Sequence, residues 1–529
     1  MASITANTPT ENKLFIENYN ILQESKEDSK YTNLTHNYHT VDLVTGELSS
    51  VSRRELVTAL NIDRSGSMAD SGKDGHSALE HTIHTTKNII SYLEDLKEDN
   101  PELNLTILVN AFDNQMKNLG AYQIGDEENK KAYFKKLEKL EPRGSTNIEG
   151  AFQAIKNDEL YTSTPDDNKA HILMTDGKPN CGKVSAVGIL ESNPSGNQIY
   201  IGYGTGHDAK LLQRMAELSN GTYHFVDSIE NAGMVYGEII HGLLYAAVKD
   251  ITVTVTGAEV YDFTKNKWSN TVKFNTFASQ HTQSLILRSS WDSVDIVTVN
   301  IVYTETGNGV IHSKTDSFNC YNCTNGESKV DSRNIIVEKQ MFRQRALEGL
   351  YKAKQHNAYD HTKKTELKKQ LIELEKEMKK FMKTNSLDDD AFMLKLVADV
   401  FVAYTGIDSY FGDAFIGARL ANQGNQRAYE INDLSSLTRQ NAVDLGGAIF
   451  GGPPPSIYRQ TASGRVPERC SYPRQQSAPP ASLPHLSMPK PNMIRQSSCY
   501  TTPTQATVMR ECSQPITPTP SETEELEEN

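Results

Sequence analysis

The segment Asn61-Ile62-Asp63-Arg64-Ser65-Gly66-Ser67-Met68 closes an apolar run and sets one carboxylate and two hydroxyls at alternate positions of a short loop. Gly66 permits the bend that lets these side chains face one point. Oxygen donors of this type suit a hard cation such as Mg²⁺, with Mn²⁺ as a substitute, because such ions favour octahedral geometry, keep several waters and take few protein ligands. Read alone, the pattern fits equally well a hydrogen-bonded Asx or Ser turn at the end of a strand.

Two further elements follow in order. Arg143-Gly144-Ser145-Thr146-Asn147 precedes an amphipathic stretch, and Met174-Thr175-Asp176-Gly177 closes another apolar run. Each has an ordinary reading of its own: Ser145 or Thr146 as the cap of a helix from about Ile148 to Ile155, and Asp176 as a turn residue. Their joint occurrence points instead to one site made of Asp63, Ser65, Ser67, Thr146 and Asp176. Two carboxylates at one point repel, and a divalent cation between them reverses the sign. Neutral hydroxyl ligands leave the ion electrophilic enough to attract an external carboxylate.

Other chemistries find less support. Neither Ser65 nor Ser67 stands in a G-x-S-x-G elbow, and no phosphate-cradling G-x-x-x-x-G-K-[ST] loop occurs, so the chain is expected not to be an enzyme. His76, His81 and His84 sit near the start of a helix, where solvent-exposed helix residues are a better reading than a zinc site. Cys320-Tyr321-Asn322-Cys323 is half of a zinc pattern without a second half, and free thiols in a loop are its alternative. The remaining cysteines, Cys181, Cys470, Cys499 and Cys512, are scattered, unlike the framework of a small secreted domain. A net charge of −13 argues against nucleic-acid binding, which takes clustered Lys and Arg. With no basic start followed by an apolar core and no apolar run long enough to span a bilayer, a cytoplasmic protein is expected.

The elements that must position the five residues are legible between Leu56 and Val226. Apolar runs at Leu56–Ile62, Leu103–Phe112, His171–Thr175, Gln198–Tyr203 and Thr222–Val226 alternate with stretches of helical periodicity, and Ala121–Ile124 adds an edge strand. This predicts a doubly wound, mostly parallel α/β sheet of Rossmann-like type, whose ligands gather beyond the carboxyl ends of the strands.

With Asp63, Ser65 and Ser67 as a first motif, Thr146 as a lone threonine and Asp176 as a final aspartate, residues 54–246 resemble the von Willebrand A (vWA) family. All five positions match its metal-ion-dependent adhesion site. The resemblance implies that Ser65, Ser67 and Thr146 reach the metal directly or nearly so, that Asp63 and Asp176 act largely through waters, and that one coordination position is left for a partner's Asp or Glu.

Around this domain the sequence divides into further parts. Residues 1–33 are polar and expected to be disordered, and 34–53 supply a strand that joins a β-sandwich at 247–331, which makes the A domain an insertion. The strands Ile251–Val260, Thr271–Phe277, Gln283–Arg288 and Val294–Tyr303 carry alternating Thr, Val and Ile. Residues 332–417 are helical, with Leu367, Leu371, Leu374, Met378 and Met382 forming a stripe suited to an antiparallel hairpin. Fourteen of the 20 prolines follow Gly452, so 418–529 is expected to be a largely disordered Pro/Ser/Thr-rich tail. Within it Arg474–Pro479 resembles a phosphoserine motif read by 14-3-3 proteins, and Arg495-Gln496-Ser497-Ser498 is a looser basic-directed phosphosite. The order of A domain, β-region and helices is also similar to intracellular A-domain proteins, some of which are joined in plants to a RING zinc module as ubiquitin ligases; this chain shows no RING ligand set. The expected function is a metal-dependent protein-binding adaptor, and the alternative is a non-catalytic subunit of an enzyme complex, ubiquitin-ligase-like for example, whose A domain positions substrate.

Overall fold

A computed structural model of the chain describes residues 14–22, 36–48, 50–71, 74–204, 206–227, 231–290, 296–319, 330–355, 361–408, 412–429 and 498–516. Two strands, β1 (Leu14–Leu22) and β2 (His36–Thr45), precede an α/β unit built on β3 (Glu55–Asp63), β4 (Asn104–Phe112), β5 (Met116–Gln123), β6 (Lys169–Thr175), β7 (Asn197–Tyr203) and β8 (Thr222–Val226). These six form one sheet in the order β5-β4-β3-β6-β7-β8, parallel throughout except for the β4–β5 edge pair. Nearly every residue of β3, β4 and β6 is buried, which is why their sequences are continuous apolar runs rather than alternating ones.

Helices α1 (Ala78–Asp99), α2 (Glu127–Glu138), α3 (Ile148–Lys156), α4 (Glu159–Ser163), α5 (Ala186–Leu190), α6 (Ala209–Ser219) and α7 (Ala232–Leu244) connect the strands. They fall into two packed groups, α1 with α2 and α7, and α3 with α4, α5 and α6. Ser77 and Glu80 start α1 with a reciprocal capping box, satisfying two amides that would otherwise lack partners. The chain runs from β3 to β4 on one side and returns to β6 on the other, so the strand order reverses between β3 and β6. A crevice at the carboxyl ends of those two strands follows from the topology.

Strands β9 (Ala246–Thr256), β10 (Glu259–Asp262), β11 (Lys267–Ser269), β12 (Thr271–Ala278), β13 (Thr282–Ser290), β14 (Ile296–Glu305) and β15 (Ile311–Asn319) complete two antiparallel sheets, β1-β2-β13-β10-β11 and β12-β9-β14-β15. Leu14, Val41, Leu43, Leu285 and Leu287 from the first sheet share a core with Val253, Val299 and Ile301 from the second. The α/β unit is thus inserted between β2 and β9 of a sandwich. Four helices follow, α8 (Val330–Lys354), α9 (His361–Thr384), α10 (Ala391–Gly406) and α11 (Gly412–Gly424). Leu371, Leu374, Met378 and Met382 of α9 are buried in their core, with Leu367 packed against it.

Two expectations are corrected. Residues 14–22, placed in a disordered segment, form β1, which pairs antiparallel with β2 through a bulge between Glu17 and Asn20; Leu14 is fully buried. The tail begins later than 418 and holds structure: α11 runs to Gly424, with Arg419 buried against Asp399 and Leu420 in the helical core, and α12 (Pro503–Cys512) carries its own capping box from Thr502 and Gln505. Cys320, Cys323 and the Arg474–Pro479 motif lie outside the described residues.

Candidate metal centre

Asp63 ends β3, and Asp176 directly follows β6, the strand beside it. The loop after Asp63 bends back at once. Asp63 Oδ1 accepts Ser65 N at 2.7 Å, and its Oδ2 accepts the Thr175 hydroxyl at 2.5 Å. Ser65 Oγ and Ser67 Oγ lie 3.1 Å apart, and Ser67 Oγ donates to Asp176 Oδ1 at 2.7 Å. Four of the five sequence-singled residues therefore form one hydrogen-bonded chain across two loops.

Thr146 arrives from the second loop, between α2 and α3. Arg143 N donates to Arg64 O at 2.7 Å and Gly66 N to Gly144 O at 3.2 Å, tying the second loop to the first. Gly144 adopts φ +69°, and a Cβ there would lie 2.3 Å from Asn114 Oδ1, so glycine is required at this approach. Gly177 measures the remaining gap: a Cβ on it would stand 3.1 Å from Thr146 Oγ1 and 3.6 Å from Ser67 Oγ. A methyl group there would stand between the Thr146 and Ser67 hydroxyls, and Ser67 is in turn bonded to Asp176 and lies beside Ser65. Helix α3 is capped by Asn147, whose Oδ1 accepts Gly150 N at 3.0 Å, so the Thr146 side chain is not occupied as a cap.

The site is graded from dry to wet. Asp63, Ser65 and Thr146 are buried, Asp176 is half-buried and Ser67 is exposed. Burial pushes the Asp63 carboxyl up to about 7 against the hydrogen bonds from Thr175 and Ser65, with the Asp176 charge adding to the rise. Burial also raises Asp176, opposed by the Ser67 hydrogen bond. Among the described residues no basic side chain forms an ion pair with Asp63. Two desolvated carboxylates with neutral donors around them are a donor set that a small divalent cation would complete. Among the described residues no three His, Cys, Asp or Glu side chains cluster as metal ligands, so an ion here would depend on the hydroxyls and on water.

Residues 59–237 match the family model of the von Willebrand factor type A domain. The chain carries a vWA domain. None of the curated proteins matches the chain. Among solved structures it is similar to a von Willebrand factor type A protein from Catenulispora acidiphila (15% identity, 65% of this chain and 82% of that chain, TM-score 0.43). It is also similar to the ArnB paralog VWA2 from Sulfolobus acidocaldarius (13% identity, 79% and 98%, TM-score 0.43). A third is proximal thread matrix protein 1 of the mussel byssus, solved with a zinc-occupied adhesion-site motif (18% identity, 35% and 47%, TM-score 0.28).

Residues that sequence reasoning did not assign give the A-domain site its rigidity. Asp113, immediately after β4, pairs with Arg64 at 3.0 Å and with Arg143 at 2.7 Å, so one buried carboxylate clamps the first loop to the second. Its position just past a strand end was the available signal. Asn180 Oδ1 accepts Thr146 N at 2.9 Å and Asn180 N donates to Thr146 O at 3.1 Å, binding the third loop to the second. The histidines near α1, expected to be solvent-exposed, are not: His81 is buried with Nε2 3.0 Å from Asp74 Oδ1 and its ring edge-on to that of half-buried His76, and half-buried His84 Nε2 donates to Gln514 O at 2.8 Å.

Proposed function

We propose that the A domain is a metal-ion-dependent adhesion site in which Asp63, Ser65, Ser67, Thr146 and Asp176 hold Mg²⁺, or Mn²⁺ in its place, and that the chain is a non-catalytic adaptor capturing an acidic group of a protein partner. The observation that carries this reading is Asp63, a fully buried carboxylate whose hydrogen-bond donors among the described residues are the Ser65 amide and the Ser65 and Thr175 hydroxyls, all neutral. When bound, the cation supplies compensating charge and a coordination position open to an external carboxylate.

The chain's own residues do the rest. Thr175 and the Ser65 amide hold the Asp63 carboxylate in one orientation. Ser65, Ser67 and Thr146 offer neutral oxygens, which leave positive charge for a partner to answer. Ser67 and Asp176 stand on the open side, where a partner's side chain enters, and Gly177 keeps that space clear. Ser65 and Ser67 are bonded to each other and to Asp176 rather than to a histidine, which suits ligands better than nucleophiles.

Partner capture by the full chain in Mg²⁺ and in chelator tests this reading, with Thr146→Ala as a third arm. Capture is expected to be lost in chelator and strongly reduced in the variant. Undiminished capture in either would overturn the metal bridge.

A further inference from the structure

After 68 intervening residues, the chain returns to its A domain at residues 498–516. There α12 packs across α7 and α1. Val508, Met509 and Cys512 are buried beneath it, and Asn88 Nδ2 joins His84 in donating to Gln514 O, at 3.0 Å. The seat on α7 is made of two glycines one turn apart. A Cβ on Gly233 would lie 2.2 Å from Cys512 O and one on Gly237 would lie 2.5 Å from Met509 Cα, and at each glycine the three nearest atoms all belong to residues 508–513. Glycine inside a helix weakens it, yet these two admit the backbone of a segment remote in sequence.

The segment enters this seat through Ser498. Its N–H donates to Ala428 O at 2.7 Å, its hydroxyl donates to Arg427 O at 2.6 Å, and its Oγ accepts Tyr500 N at 3.1 Å; the residue is 7% exposed. A phosphoryl group on this oxygen would remove the donated hydrogen bond and press negative oxygens against the carbonyl of Arg427. The nearby guanidinium of Arg427 is engaged elsewhere, donating to Tyr223 O at 2.6 Å. A dianion therefore has no place in the docked state. In sequence, Arg495 stands three residues before Ser498, the spacing read above as a basic-directed phosphosite.

We propose that residues 498–516 are a releasable clasp on the A domain and that Ser498 is the phosphorylation site that releases it. Ser498 Oγ attacks the γ-phosphorus of a nucleoside triphosphate held by a basic-directed protein kinase. The new O–P bond forms as the bond to the β,γ-bridging oxygen breaks, the nucleoside diphosphate leaves, and the hydroxyl proton passes to the kinase's base. Because Ser498 is buried when docked, only the released segment is a substrate, and the phosphorylated chain is held open. This holds whether or not the metal reading above is right.

Cys512 reports the state directly, being buried when docked and exposed on release, while Cys181, half-buried in the A domain and outside the clasp, serves as the internal control. Alkylation of each thiol in the full chain is followed by peptide mass spectrometry, before and after treatment with a basic-directed kinase and Mg-ATP. Phosphorylation at Ser498 and a Cys512 rate raised by about tenfold or more are expected, with Cys181 unchanged and no response in Ser498→Ala. Gly233→Ala/Gly237→Ala forces α12 off without touching Ser498, and should speed both Cys512 alkylation and Ser498 phosphorylation. An unchanged Cys512 rate in chain fully phosphorylated at Ser498 overturns the proposal, as does a Ser498 that stays unmodified in the double-glycine variant.

Discussion

Four aspartates are buried among the described residues; those of the helical region, the sandwich and the loop just past the A domain's β4 are paired, and the one at the end of β3 is not. In the helical region Asp399 meets Arg419 at 2.8 Å and accepts Gln423 Nε2 at 2.8 Å. Asp113 is clamped by Arg64 and Arg143, and Asp262 pairs with Lys265 at 2.8 Å. Asp63 forms no such pair, although Arg64 follows it directly in sequence and turns to Asp113 instead. Where a buried carboxylate serves only the fold, the chain supplies its own cation. At the end of β3 none of the described residues supplies one.

The largest effect expected from this contrast is on the self-contained side. Asp399→Ala removes the carboxylate that pairs with buried Arg419 and accepts Gln423, and should cost about 3–5 kcal/mol in urea denaturation. Smaller, and independent of the metal, is the acid response of His171. Burial lowers its pKa to about 4 from 6.5, and its ring sits between Asn61 Nδ2 at 2.8 Å and Gln198 Oε1 at 2.9 Å. The unfolded chain takes up this proton first, so the contribution is complete above pH 6.5 and is lost as pH falls toward 4, by about 3 kcal/mol in all. His171→Gln should flatten that part of the stability profile, and Asp63→Asn should leave it in place.

On the other side of the contrast, Asp63→Asn removes an ionised group that has no cationic partner. In chelator at pH 8 the variant should be at least as stable as the parent, by on the order of 1 kcal/mol, while the Mg²⁺-dependent rise in Tm disappears. A variant clearly less stable in chelator would mean that Asp63 serves the fold after all. The smallest change in stability is expected of Gly177→Ala, which places a methyl between Thr146 and Ser67. It should weaken Mg²⁺ binding about tenfold, near 1.4 kcal/mol, with chelated stability altered by less than about 0.5 kcal/mol.

The parallel sheet was readable because strands buried on both faces become continuous apolar runs; Asp63, Ser65, Ser67 and Asp176 were legible because they end or closely follow β3 and β6 at the switch point, and Thr146, between α2 and α3, because it precedes an amphipathic stretch. Other parts left weaker traces. In β1 only Leu14 and Ile16 mark the inward face before the bulge, and Asn18 with φ 51° breaks the alternation. Helix α12 offers three buried side chains in a Pro-rich setting; its Thr502-Pro503-Thr504-Gln505 start, a capping box with proline at N1, was the one usable signal. Thr175 and Asp113 act through hydrogen bonds between loops far apart in sequence, and the reason for Gly233 and Gly237 exists only once α12 is seated. Contacts of that kind leave no periodicity to read.

The most direct measurement is the stoichiometry and affinity of Mn²⁺ binding to the full chain, followed by electron paramagnetic resonance of the free ion and displaced by Mg²⁺. The account predicts one displaceable ion per chain, absent in Asp63→Ala. A chain that binds none, or an Asp63→Ala variant that binds as the parent does, would contradict it.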